Sequence, residues 1–250
     1  MSYFLSDKPL KVGEISNIEG EEAKHILLSR RMRSAMPDGR QGEKLKIQDI
    51  NGKRFLCEFI TASRESLDIL ALEEITSQKE PALKIYIFQS LIKEQPLDNI
   101  LQKATELGAT GIFIFSPERS LERFKEMDKK LDRWNKISLE AAKQSDRISP
   151  LKISYLTHQE DVIKRMGELD QVFLLEPTSK ETFATWELSS QVNSIGILVG
   201  PEGGFSTKEI ETFSGLKKVI KISMGPRILR ADTASIVAVA IIQSLWGDMK

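Results

Sequence analysis

Two stretches hold the residue types best suited to binding and chemistry: Gly200-Pro201-Glu202-Gly203-Gly204-Phe205, and Met224-Gly225-Pro226-Arg227-Ile228-Leu229-Arg230-Ala231-Asp232-Thr233-Ala234. Glycine lets backbone amides and carbonyls come close to a ligand, because no side chain intervenes. Each stretch closes an apolar run, over 195–199 and 219–222, and each is followed by a helix start. Ser206 with Glu209 forms a capping-box pattern, and Asp232 or Thr233 can cap an apolar helix over 234–246. Glycine loops that leave two buried strands and feed two helix N-termini predict a pocket for a nucleotide-like ligand. Arg119, in Ser116-Pro117-Glu118-Arg119-Ser120, directly follows a third apolar run. Its planar fork suits clamping a phosphate or base, or else pairing with Glu118 or Glu122 at the surface.

The familiar phosphate loops are excluded. No two glycines are separated by a single residue, so GxGxxG is absent, and no glycine precedes Lys-Ser or Lys-Thr.

Loops of this kind need a scaffold that brings strand ends together. Beyond residue 83 the pattern alternates: strands over 83–88, 112–115, 153–155 and 172–175, and helices over 95–107, 127–144 and 161–166, with Gly108 ending the first helix. This predicts a parallel α/β sheet covered on both faces, its ligand site at the carboxyl ends of the strands. Glu140 and Gln144 share a helix face, and either line the site or cap the sheet. The terminal helix carries Ala234, Ile236, Val237, Val239, Ala240, Ile241, Ile242, Leu245 and Trp246, more than one buried stripe requires. Such a surplus predicts a second partner, most simply another copy.

Residues 1–75 predict a small β-rich unit that closes or nearly closes into a barrel. Its alternating segments are Leu45, Ile47, Ile50; Phe55, Cys57, Phe59; and Leu67, Ile69, Leu70, Leu72, with turns at Asp38-Gly39, Asn51-Gly52 and Ala62-Ser63 and a helix over 21–28. Residues 76–82 read as a linker. The whole chain balances 36 basic against 36 acidic residues, so a surface for a polyanion must be local. The candidate is 30–54, where Arg30, Arg31, Arg33, Arg40, Lys44, Lys46, Lys53 and Arg54 oppose only Asp38, Glu43 and Asp49. It would attract a phosphate backbone, or form a solvated charged face.

At 250 residues and 40% hydrophobic content, the chain can bury one large core or two modest ones. The single cysteine, Cys57, rules out an internal disulfide, fits a reducing compartment and reads as a small core residue. No apolar run nears the roughly 20 residues of a membrane span, and no signal peptide is apparent, so a cytoplasmic location is expected. Two histidines and one cysteine, without close ligand spacing, predict no metal site. His25 either serves binding or chemistry, or packs at a helix edge; His158 reads as an exposed helix start.

GPEGGFSTKE and MGPRILRADTA together resemble the signature of the SPOUT superfamily of knotted RNA methyltransferases, most closely the ribosomal small-subunit uridine N3-methyltransferase family. The likeness continues through Gln102-Lys103-Ala104-Thr105-Glu106-Leu107-Gly108, Glu118-Arg119-Ser120 and Glu140-Ala141-Ala142-Lys143-Gln144-Ser145, and so spans most of the chain. The resemblance implies a C-terminal trefoil-knotted, parallel-sheet α/β methyltransferase domain over 83–250 and an N-terminal PUA-like β-barrel over 1–75. His25-Ile26-Leu27-Leu28-Ser29-Arg30 looks like a segment of that barrel. It further implies that S-adenosylmethionine lies between Gly200, Glu202, Gly203 and Gly204 on one wall and Met224, Ile228, Leu229 and Thr233 on the other. Small-subunit (16S) ribosomal RNA, or the 30S particle, would be gripped through Arg30, Arg31, Arg33 and Arg119 by a homodimer that can share its pockets. Uracil N3 carries a weakly acidic proton, so Arg230 and Arg119 are candidates to stabilise the anion and Glu202 to act as base. A ribose 2'-O-methyltransferase of the same fold, and an RNA-binding protein whose knot no longer catalyses, are the alternatives.

Overall fold

The computed structural model describes residues 3–29, 43–76, 80–120 and 126–249. They fall into two units, Met1–Lys79 with Lys143–Ile148, and Glu80–Ala142 with Ser149–Lys250.

The first unit contains β1 (Phe4–Leu5), β2 (Ile15–Glu19), α1 (Gly20–Ser29), β3 (Lys44–Gln48), β4 (Arg54–Ala62) and β5 (Ser66–Ile75). Its five strands form one sheet in the order β1-β3-β4-β5-β2. Leu45, Ile47, Phe55, Cys57, Phe59, Leu67 and Ile69 point to one side and bury against Ile26 and Leu27 of α1, as the period of two dictates. Burial pushes the Cys57 thiol up to about 12. Ile50 departs from the expected alternation. It is 65% exposed in a turn where Asp49 Oδ1 accepts from the Asn51 and Lys53 amides and Gly52 adopts φ +78°. An Asx turn overrides the strand there.

The basic cluster is partly consumed inside this unit. Arg54 is buried, donates to Gln48 Oε1 at 3.0 Å and to Asp146 Oδ1 at 2.7 Å, and stacks over the Tyr3 ring. Lys53 pairs with Glu74, and Lys46 with Asp146. Arg30, Arg31, Arg33 and Arg40, with the Asp38-Gly39 turn, lie outside the described residues. His25 packs edge-on against Phe4.

The second unit runs β6 (Lys84–Ser90), α2 (Glu94–Glu106), β7 (Gly111–Phe115), α3 (Met127–Gln144, its last two residues belonging to the first unit), β8 (Lys152–Leu156), α4 (Gln159–Gly167), β9 (Gln171–Leu175), β10 (Ser194–Val199), α5 (Thr207–Ser214), β11 (Val219–Ile222) and α6 (Ala231–Leu245). All pairings are parallel, in the order β11-β9-β10-β6-β7-β8. The inner strands β6, β7, β9 and β10 bury both faces, hence their continuous apolar runs, whereas the edge strand β8 stays partly exposed. Ile85, Ile87, Ile112, Ile114, Ile195 and Ile197 pack with α2, α3 and α6. Phe88, Phe115, Leu174 and Leu198 pack with α4 and α5. The order reverses at β6, which has β7 on one side and β10 on the other, and a ligand crevice is expected at such a switch point.

Helix α6 corrects one expectation. It begins at Ala231, with Arg230 at the N-cap and no side-chain cap bond, so Asp232 and Thr233 lie within its first turn. His158 occupies the N-cap of α4 and is exposed. Among the described residues no helix is long and apolar enough to cross a membrane, and no group of three His, Cys, Asp or Glu side chains is placed to hold a metal ion.

Candidate functional site

A cavity of about 580 Å³ opens where the loops after β9, β10 and β11 meet the loop after β7. Gly200, Pro201, Glu202, Gly203, Gly204 and Phe205 form one wall; Met224, Gly225, Arg227, Ile228, Leu229 and Arg230 form another. Arg119 comes in from the loop after β7. Val199, Ile222, Leu175 and Ala234 supply apolar lining. The volume falls in the roughly 300–1,000 Å³ range of small-molecule sites, and an apolar bed with a few polar groups is their usual make-up.

The two glycine loops differ in how they hold their shape. In the first, the Gly204 amide donates to the Pro201 carbonyl at 2.9 Å, closing a turn with Gly204 at φ +66°. Ser206 then caps α5. Its hydroxyl accepts from the Glu209 amide at 3.2 Å, and Glu209 Oε2 accepts from the Ser206 amide at 2.8 Å, the reciprocal pair the sequence predicts. In the second loop Gly225 takes φ +100°, and its amide donates to Ser223 Oγ at 3.3 Å. A Cβ added at Gly204 or Gly225 would meet nothing within 4 Å, so the backbone there is open to a ligand.

Among the described residues Arg119 pairs with no carboxylate. Its Nη1 donates to the carbonyls of Gly203 and Phe205 at 3.4 and 3.3 Å. The site thus gathers three guanidinium groups, Arg119, Arg227 and Arg230, and two carboxylates, Glu202 and Glu176. Glu202 and Arg230 are exposed, and among the described residues neither side chain has a partner. Glu176 Oε1 accepts from Thr178 Oγ1 at 3.0 Å.

Gly200, Glu202, Gly203, Gly204, Met224, Ile228, Leu229, Arg230 and Arg119 therefore line one cavity. Thr233 does not. It sits exposed within the first turn of α6, because the helix starts earlier than expected and turns that side chain away. Glu140 and Gln144 are exposed on α3 and are not among the lining residues. Leu175, Glu176 and Pro177 were missed, although the rule that ligands gather at the carboxyl ends of parallel strands applies equally to β9. Glu209 was read only as a helix cap, yet its Oε1 also accepts from the Glu118 amide at 2.9 Å. His158 lines a separate, smaller cavity of about 160 Å³ with Phe115, Glu118, Leu156 and Phe213.

The family model of the RNA methyltransferase domain matches residues 78–243. The chain is 31% identical to the ribosomal RNA small subunit methyltransferase E of Bacillus subtilis, over 98% of this chain and 97% of that protein. It is 29% identical to the protein of the same name from Buchnera aphidicola of Acyrthosiphon pisum, over 83% of this chain and 84% of that one. Among solved structures, ribosomal RNA small subunit methyltransferase E from Neisseria gonorrhoeae, bound to S-adenosyl methionine, superposes with a TM-score of 0.85 at 26% identity and full coverage of both chains. A Legionella pneumophila protein solved with bound SAM shares the fold at a TM-score of 0.83 and 24% identity, over 98% of each chain.

Proposed function

The chain belongs to the ribosomal RNA small subunit methyltransferase E family of SPOUT-type RNA methyltransferases, and we propose that it uses S-adenosylmethionine to methylate N3 of a uridine in small-subunit ribosomal RNA. The observation that carries this reading is the convergence of both glycine loops and Arg119 on a single cavity at the carboxyl ends of parallel strands. Open backbone at Gly204 and Gly225, beside apolar Met224, Leu229 and Ile222, suits a ligand that is part nucleoside and part amino acid. Gly200, Glu202, Gly203 and Gly204 would hold it on one side, and Met224, Ile228 and Leu229 on the other. When bound, S-adenosylmethionine supplies a methyl group already activated on a sulfonium.

The chain's own residues then have two tasks. They align the attacking atom at near-contact distance, which accounts for most of the acceleration in such a transfer. They also manage the N3 proton. Glu202, exposed and unpaired among the described residues, takes that proton, while Arg119 and Arg230 offset the negative charge left on the uracil ring. The target base must leave its stack, which favours an unpaired RNA segment. In the same reading the second unit is a trefoil-knotted domain, the first a PUA-like barrel that grips RNA, and the working form a cytoplasmic homodimer.

Nucleoside analysis tests the reading. Small-subunit RNA or particles are incubated with the protein and S-adenosylmethionine, digested and resolved by mass spectrometry. N3-methyluridine is expected. A 2'-O-methylated nucleoside in its place would transfer the assignment to the ribose, and cofactor binding without any methylated product would leave only an RNA-binding protein.

A further inference from the structure

We propose that Glu209 is a positioning residue for methyl transfer: a single buried carboxylate straps the Arg119 loop to the glycine loop and so sets where the Arg119 guanidinium stands. This rests on the role given to Arg119 above. Glu209 is only 3% exposed. A carboxylate removed from water is costly unless its oxygens are satisfied by hydrogen bonds. Here each oxygen takes one backbone donor, and the two donors belong to different loops: the Ser206 amide at 2.8 Å on Oε2 and the Glu118 amide at 2.9 Å on Oε1. A capping box needs only the first of these. The second is surplus to capping, and it lands on the residue next to Arg119.

The opposite end of the same connection is looser. Arg119 Nη1 reaches the Gly203 and Phe205 carbonyls at 3.4 and 3.3 Å, long for hydrogen bonds, and the other guanidinium donors have no partner among the described residues. The backbone of Glu118-Arg119 is thus held firmly while the tip of Arg119 keeps donors for a substrate. Such a division of labour orients a charged group without spending it.

The test uses the full chain and a double-mutant cycle. Glu209→Ala is expected to lower kcat by about tenfold or more, since a small displacement of a catalytic group is costly, with S-adenosylmethionine affinity held within about threefold. Glu209→Gln, which keeps the side-chain shape but places an amide N–H against one of the two backbone donors, serves should the alanine variant fail to fold. In an Arg119→Ala background neither substitution should reduce kcat further, because both act through the same guanidinium. Ser206→Ala, which removes the other half of the cap, should lower Tm and leave kcat in place. Losses that multiply with Arg119→Ala, or a Ser206→Ala variant as slow as Glu209→Ala, would overturn the proposal. Hydrogen exchange at the Glu118 amide supplies a readout that needs no methyl transfer: fast in Glu209→Ala, slow in the wild type and in Ser206→Ala. Unchanged exchange also sinks the strap. A wild-type chain that methylates no small-subunit RNA would refute the functional reading, and the exchange measurement would still judge Glu209.

Discussion

At Gly203 an added Cβ would meet Arg119 Cβ at 3.8 Å, an ordinary contact, whereas at Gly200 it would press on the Phe205 ring at 3.3 Å. The glycines of the first loop therefore have different reasons to be glycine. Gly200 makes room for an aromatic ring of its own loop, and Gly204 adopts a left-handed backbone. Only Gly204 is required by conformation, since an L-residue at positive φ is strained whatever the space around it. Gly204→Ala should cost about 1–2 kcal/mol of stability, and Gly203→Ala about 0.5 kcal/mol or less. Urea denaturation compares them, read as midpoints at unchanged m. Equal midpoints would show that the Gly204 turn relaxes without strain.

Between elements, Asp170 performs a task that no pattern announced. One carboxylate oxygen, Oδ2, accepts from the Asn193 amide at 3.0 Å, the Ser194 amide at 2.9 Å and Ser194 Oγ at 2.8 Å, clamping the start of β10 just ahead of β9. The backbone bond from Asn193, followed by the Ser194 hydroxyl bond, holds its pKa below the ordinary aspartate value. A depressed folded pKa stabilises the protein above the unfolded pKa, about 3.9, and that contribution is lost as pH falls through the folded value. Asp170→Asn should thus lower Tm at pH 7, and the gap to the wild type should narrow at pH 3. A gap independent of pH would mean that shape, and not charge, holds the strand in place.

For the whole molecule, the unspent surface of α6 bears on assembly. Ala234, Ser235, Ala238, Val239 and Ile242 are buried. Ile236, Val237 and Ala240 point the other way and keep partial exposure. An apolar stripe left on a helix already packed along one side suits a self-complementary pairing. Val237→Glu should convert a dimer into a folded monomer in sedimentation at micromolar concentration; a wild-type monomer would refute the pairing. RNA affinity is tested separately by replacing Arg30, Arg31 and Arg33 with alanine. Each lost phosphate contact should flatten the log-log salt dependence by roughly 0.7 to 0.9, with cofactor binding unaffected. An unaltered slope would make these arginines a solvated face.

Most of the elements are legible in the sequence by itself, β1 and β2 excepted. Helix α3 spans Met127–Gln144 as its period predicts, the capping box forms at Ser206, Gly108 closes α2 at φ +83°, and Cys57 lies in a core. These features are local, written in hydrophobic period, cap chemistry and backbone freedom within a few residues. Tertiary structure decided where side chains were spent. Arg54 counted as basic surface but is consumed within its own unit; Thr233 counted as pocket but turns outward; Leu175, Glu176 and Pro177 joined a cavity through a strand that carries no motif. Arg119 found its partners 84 residues away in Gly203, because the sheet inserts β10 between β9 and β6 and thereby brings three loop ends together. Strand order is the outcome of competing long-range burial, and no periodicity within one segment encodes it.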